Sequence, residues 1–102
     1  MFTILAVYNA KFILSILEAD LNASGYKTVT ANNGKSALAI VDSQDIDLIL
    51  LDIDMPDMNG LEVLQQLKSQ AHSMHIPTIM LSASDNEESI VAALNLGAQD
   101  YL

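Results

Sequence analysis

Apolar residues along this chain recur with two alternating periods. Thr3-Ile4-Leu5-Ala6-Val7 is a short apolar run of strand length. Phe12, Ile13, Ile16, Leu17, Ala19 and Leu21 then return at helical spacing, and Gly25 sits where a glycine just past a helix end belongs. Tyr26 to Ala31 has the Thr, Val and Tyr content of a strand. Asn32-Asn33-Gly34 reads as a turn before a second helix marked by Ala37, Leu38 and Val41. Asp47-Leu48-Ile49-Leu50-Leu51-Asp52 is apolar between its ends rather than alternating, which predicts a strand covered on both faces. Leu61, Val63, Leu64 and Leu67 mark a third helix, and Ile76 to Leu81 a fourth strand with Pro77 near its start, where a missing donor is tolerated. Ser84-Asp85-Asn86-Glu87 has capping-box spacing, with Ile90, Val91, Ala93 and Leu94 behind it and Gly97 at the end. Gln99 to Leu102 begins a fifth strand. Strands alternating with helices in this way predict an α/β fold, a doubly wound parallel sheet with helices on both faces. Ligands of such sheets gather in the crevice beyond the carboxyl ends of the strands.

At 102 residues the chain has room for one domain, residues 1–102, and its 51% apolar content is enough for one core. Four basic against 13 acidic residues give a net charge of −9, which excludes nucleic acid and anionic membranes as expected partners. The absence of cysteine excludes thiolate catalysis, disulfides and Cys-type zinc sites. The apolar N-terminus lacks a basic leader and no run reaches membrane-spanning length, so a cytoplasmic location is expected. Asn22-Ala23-Ser24 matches a glycosylation triplet but reads as a helix end.

The chemistry concentrates at one place. Asp52 ends the most apolar strand and is expected to stand open at the lip of the sheet, with Asp54 two residues on and Asp57 in the following loop. A carboxylate at the mouth of an apolar strand serves as a cation ligand or as a nucleophile towards phosphorus. Ser82, ending the fourth strand, would offer a hydroxyl to a phosphoryl group on Asp52. Asp52 starting an ordinary turn, with Ser82 a plain strand-end hydroxyl, is the alternative at this level. His72 and His75 fall on the opposite side of the sheet and read as exposed loop residues.

Five segments in order carry a family resemblance. They are Ser24-Gly25-Tyr26; Ala31 to Leu38; Leu50-Leu51-Asp52-Ile53-Asp54-Met55-Pro56-Asp57-Met58-Asn59-Gly60; Ile76 to Ala83; and Leu96 to Leu102. Together they resemble the receiver domain of two-component response regulators, with its flavodoxin-like (βα)5 fold, over the whole chain. The resemblance implies that Asp52 is the phosphoacceptor, taking a phosphoryl group from a histidine kinase or phosphotransfer protein. It also implies Mg2+ held by Asp52 and by the backbone carbonyl of Asp54, with Ser82 and Tyr101 as the switch hydroxyl and switch aromatic. An output domain or partner protein would read the switch.

Two departures from that family qualify the expectation. Tyr8-Asn9 stands where family members carry an acidic pair. Only the Asn9 amide oxygen offers itself to Mg2+, so weak metal affinity is expected. One lost unit charge near 4 Å removes roughly 1–4 kcal/mol per unit of metal charge. The family's lysine lies three residues past the aromatic and so past Leu102, as does the fifth helix, leaving the last strand cut short and the domain C-terminally incomplete. A fragment of a longer protein, or a homodimer formed through the uncovered sheet face, is therefore expected. The departures motivate a second reading, a pseudo-receiver acting as a phosphorylation-independent interaction or dimerisation module. Asp52-Ile53-Asp54 is also similar to the first motif of haloacid-dehalogenase-type phosphatases, although that motif belongs nearer an N-terminus. A non-enzymatic receiver is expected to show no turnover of a generic aryl phosphate with Mg2+, and sustained release of the aryl alcohol would instead favour the phosphatase.

Overall fold

A computed structural model of the chain describes residues 2–55, 57–81, 97–98 and 100–101. Five strands are present: β1 (Thr3–Val7), β2 (Lys27–Ala31), β3 (Leu48–Asp52), β4 (Thr78–Leu81) and β5 (Asp100–Tyr101). Three helices alternate with them: α1 (Lys11–Ala23), α2 (Gly34–Ser43) and α3 (Gly60–Ser69). The strands are all parallel and lie in the order β2-β1-β3-β4-β5. This is the doubly wound α/β sheet that the pattern of periods predicts. The helix expected behind Ser84-Asp85-Asn86-Glu87 lies outside the described residues.

One sheet face forms the main core. Leu5 and Val7 of β1, Ile49 and Leu51 of β3 and Met80 of β4 pack with Ala37 and Val41 of α2 and Val63, Leu64 and Leu67 of α3. Their alternation is that of strand residues sharing one face. The opposite face carries Ile4 and Ala6, both buried, where α1 crosses β1 and β2 and turns Leu14 inward. Beyond α1 the cover thins. Leu48 and Leu50, which pair with Ile4 and Ala6 in the ladder, are only half-buried, as is Ile79 beside Leu50.

Helix boundaries follow local hydrogen bonding. Gly25 adopts φ +94°, a left-handed conformation open to glycine. Its N–H donates to the Asn22 carbonyl at 3.1 Å and the Tyr26 N–H to that of Leu21 at 3.1 Å, which closes α1. Asn22-Ala23-Ser24 is thus a helix end. Asn33 is the N-cap of α2, its side-chain oxygen accepting the Ser36 N–H at 2.8 Å. The segment read as a turn is therefore already the helix start, because Asn at a cap satisfies an N–H that the helix cannot. Asn59 does the same for α3, accepting from the Glu62 N–H at 3.0 Å. No described helix is long and apolar enough to cross a membrane.

Gly60 sets the spacing between α3 and the end of β3. A Cβ there would overlap the Asp52 carbonyl oxygen and lie 2.8 Å from the Ile53 Cα, and both obstacles are backbone. The Gly60 N–H donates to the Ile53 carbonyl at 2.8 Å across the same contact. Gly60→Ala is expected to lower stability by roughly 1–3 kcal/mol, the usual cost of overpacking a filled site. A shift of the urea midpoint at constant slope checks it; an unchanged midpoint would show that the helix slides away without cost.

Candidate functional site

The strand order reverses between β1 and β3, adjacent parallel strands whose carboxyl ends lie on the same edge of the sheet. Asp52 closes β3 there, one residue past the Val7–Leu51 pair that ends the β1–β3 register. The loop that follows β1 consequently meets the loop that follows β3. The Tyr8 N–H donates to the Ala31 carbonyl at 3.1 Å and so continues the β2 side of the ladder. The Asn9 backbone N–H is turned towards the Asp52 carboxylate. The Asp54 N–H reaches Asp52 Oδ1 at 3.2 Å, from a residue that is itself exposed.

Asp52 retains only 4% of its surface. The expectation that its carboxylate stands open at the lip is corrected: the residue is buried, and its Oδ1 accepts the N–H of Asp54, which is exposed. Burial raises its pKa above the ordinary 3.8, and the nearby Asp54 charge adds to the rise, while the N–H groups of Asp54, Asn9 and Ile53 oppose it. Among the described residues no cation pairs with it.

The acidic triplet does not act as a unit. Asp57 turns away from Asp52 and caps α2, its Oδ1 accepting the Gly34 N–H at 3.1 Å and its Oδ2 the Lys35 N–H at 3.2 Å. Those bonds, the Gly34 one first, hold its carboxyl below the usual aspartate range. The unpaired N–H groups of a helix start are a natural seat for a carboxylate. Nothing local in the sequence shows this, because the partners are 23 and 22 residues apart.

Leu81 is the register partner of Asp52 and precedes Ser82, but Ser82 itself lies outside the described residues. Tyr101 pairs with Met80 along β5; the expected role of its side chain lies outside what is described. Lys68 is held elsewhere, its ammonium donating to the Ile76 carbonyl at 2.8 Å and the Met74 carbonyl at 3.2 Å. His72 is exposed, with Nε2 at 2.7 Å from Asp42 Oδ1, and His75 is exposed as well. Two clefts of about 620 Å³ open away from Asp52, one between α1 and α2 over Thr30, the other beside Asp42 and His72. Among the described residues no group of three or more acidic or histidine side chains is arranged to hold a metal ion.

Folding raises the Asp52 pKa, so it favours the protonated form. The stability tied to this group is complete below pH 3.8 and is lost as pH rises through the higher folded value. Asp52→Asn removes that loss. The variant is expected to be more stable than the parent at pH 7, with the gap closing as pH falls towards 3.8. Parallel urea titrations at several pH values check this; a gap independent of pH would assign the effect to something other than ionisation.

Comparison with known proteins places this geometry. Residues 4–102 match the family described as response regulator receiver domain. The chain is 39% identical over 99 residues to the alkaline phosphatase synthesis transcriptional regulatory protein PhoP of Bacillus subtilis, covering 97% of this chain and 40% of that protein. It thus spans well under half of that relative's length. Among solved structures, the chemotaxis protein CheY4 of Vibrio cholerae superposes with a TM-score of 0.95 at 29% identity, covering 100% of this chain and 85% of that one. The Mn(2+)-bound form of response regulator Rcp1 superposes at 0.90 with 28% identity, covering 100% and 80%. With its parallel β2-β1-β3-β4-β5 sheet and an aspartate sunk at the end of β3, the chain belongs to the response regulator receiver domains of two-component signalling.

Proposed function

We propose that Asp52 is the phosphoacceptor of this receiver domain and that a histidine-kinase or phosphotransfer-protein phosphohistidine is its donor. The observation that carries this reading is the buried Asp52 carboxylate at the switch point of the sheet, ringed by backbone N–H groups. One carboxylate oxygen attacks phosphorus, the P–N bond to the imidazole breaks, and an acyl phosphate forms while the imidazole leaves with the electron pair. The N–H groups of Asn9 and Asp54 then face a group of greater negative charge than the one they face now. Ser82 and Tyr101 would complete the switch by hydrogen bonding to the phosphoryl group and by filling the space the hydroxyl vacates. An output domain or partner protein would read the result.

The residues present fit a divalent cation in a limited way. Asp52 and Asp54 place two negative charges close enough for one to raise the pKa of the other. Mg2+ is commonly held by one or two carboxylates together with substrate phosphate. Asp52, the Asp54 carbonyl and the Asn9 amide would hold it; when bound, Mg2+ would neutralise charge on the transferring oxygens. The burial of Asp52 and the neutral Tyr8-Asn9 pair both oppose fast transfer.

Those same two features support a second reading, a pseudo-receiver whose surface is read without phosphorylation. Acetyl phosphate with Mg2+, followed by intact mass, separates the two. Phosphoacceptor function is expected to give a phosphoryl mass shift that Asp52→Ala abolishes. A Tyr8→Asp/Asn9→Asp variant is expected to raise the rate roughly tenfold or more, the worth of restored charge beside the metal. No shift in the parent, in that variant or in a version extended through the family's lysine would support the pseudo-receiver.

A further inference from the structure

Residues 53–59 join β3 to α3 and carry the Asp54 N–H that reaches Asp52 Oδ1 at 3.2 Å. That bond fixes the rotation of the Asp52 carboxylate only as far as the stretch carrying Asp54 is itself held. At the α3 end the Gly60 N–H donates to the Ile53 carbonyl at 2.8 Å. The middle is held from outside. Asp57 is exposed, yet both of its carboxylate oxygens are engaged, Oδ1 by the Gly34 N–H and Oδ2 by the Lys35 N–H. Met58 packs on the same glycine, where a Cβ would overlap its Cγ and lie 2.9 Å from its Sδ. Two successive side chains of the stretch therefore dock on one residue of α2.

The capping of α2 does not by itself account for this arrangement. Asn33 already accepts the Ser36 N–H through its side chain at 2.8 Å and the Ala37 N–H through its carbonyl at 3.2 Å. Helix α1 begins at Ala10 with no side-chain cap at all, so a helix start in this chain stands without a remote carboxylate. Holding an exposed aspartate in one orientation costs side-chain freedom. The two bonds to a packed helix offset that cost and fix the backbone around Asp57, three residues from Asp54. We propose that Asp57 is a positioning residue for phosphoryl transfer at Asp52, anchoring the stretch after β3 on the head of α2 so that the Asp54 N–H stays on the Asp52 carboxylate. The inference rests on the reading of Asp52 as phosphoacceptor and deepens it.

Misplacing a reacting group by ~1 Å costs about 100-fold in rate, and deleting a donor that faces developing charge costs about as much. Asp57→Ala releases the anchor but keeps Asp54 and Gly60, so a smaller loss of about tenfold in phosphorylation rate is expected. Asp57→Asn retains one acceptor oxygen, hence one of the two bonds, and falls between Asp57→Ala and the parent. Asn33→Ala removes the other side-chain cap of α2 without touching the stretch after β3. It is expected to lower the melting temperature and leave the rate as it was.

Two measurements on the 102-residue chain test the proposal: amide NMR without Mg2+, and the time course of acetyl phosphate labelling with Mg2+ read by intact mass. In Asp57→Ala the Asp54 amide proton is expected to move upfield and exchange faster with solvent, alongside the slower labelling. Partial rescue of both by Asp57→Asn, and neither change in Asn33→Ala, complete the expected result. Should Asp57→Ala fail to fold, Asp57→Asn carries both measurements against the parent. An Asp54 amide that ignores the loss of Asp57 would overturn the proposal and leave that residue a cap of α2. Equal slowing in Asn33→Ala, or a shifted amide with labelling at the parent rate, would overturn it as well. A parent that is labelled at the same rate as Asp57→Ala defeats the positioning role alone. No labelling of any chain, the version extended through the family's lysine included, defeats the phosphoacceptor reading and the positioning role with it.

Discussion

The first turn of α3 lies so close to the end of β3 that the Asp52 backbone leaves no room for a side chain at Gly60. That contact holds the carboxyl edge of the sheet together. It anchors the loop after β3 at both ends, so the Asp52 carboxylate, the Asp54 N–H that meets it and the Asp57 carboxylate that leaves for α2 all take fixed directions. The apolar packing of α2 and α3 on Leu5, Val7, Ile49 and Leu51 supplies the rigid floor beneath. A reactive group held on regular elements in this way is placed more precisely than one carried by loops alone.

Asp52 sits between two opposing influences. Desolvation and the Asp54 charge disfavour its ionised form, and backbone N–H groups favour it. A carboxylate so poised gains from any positive partner that enters, since the N–H groups only partly offset its burial. Replacement of the family's acidic pair by Tyr8-Asn9 leaves that gain smaller for a metal ion, because fewer anionic ligands share the cation. The placement and the ligand set therefore pull in different directions. The placement is what supports the proposed phosphoacceptor role, and the neutral Tyr8-Asn9 pair is what weighs against rapid transfer.

Much of the fold is legible in the residues. The apolar runs of β1 and β3, the helical spacing from Phe12 to Leu21 and the terminating Gly25 each report a local preference that the fold respects. Asn33 and Asn59 were equally visible, yet a single Asn before a helix reads as either a turn or a cap, and only the bonds to Ser36 and Glu62 decide. The strand end marks Asp52 as the central residue, but its 4% exposure is set by the packing of the folded chain and not by its neighbours in sequence. Asp57 is hidden from sequence reasoning for the same reason. Its partners are distant along the chain and are main-chain atoms, which carry no signature in side-chain identity.

Because Asp57 grips the Gly34 and Lys35 amides, the loop that follows Asp52 and the opening turn of α2 are hitched to each other. Met58, wedged against Gly34, tightens the hitch with a second, apolar point of contact. Any rearrangement that new charge on Asp52 imposes upon that loop must drag the head of α2 with it or tear the carboxylate from its amides. The loop at the carboxyl edge of the sheet and the head of α2 are thereby tied sideways across the helix layer, between elements that no neighbouring stretch of chain connects.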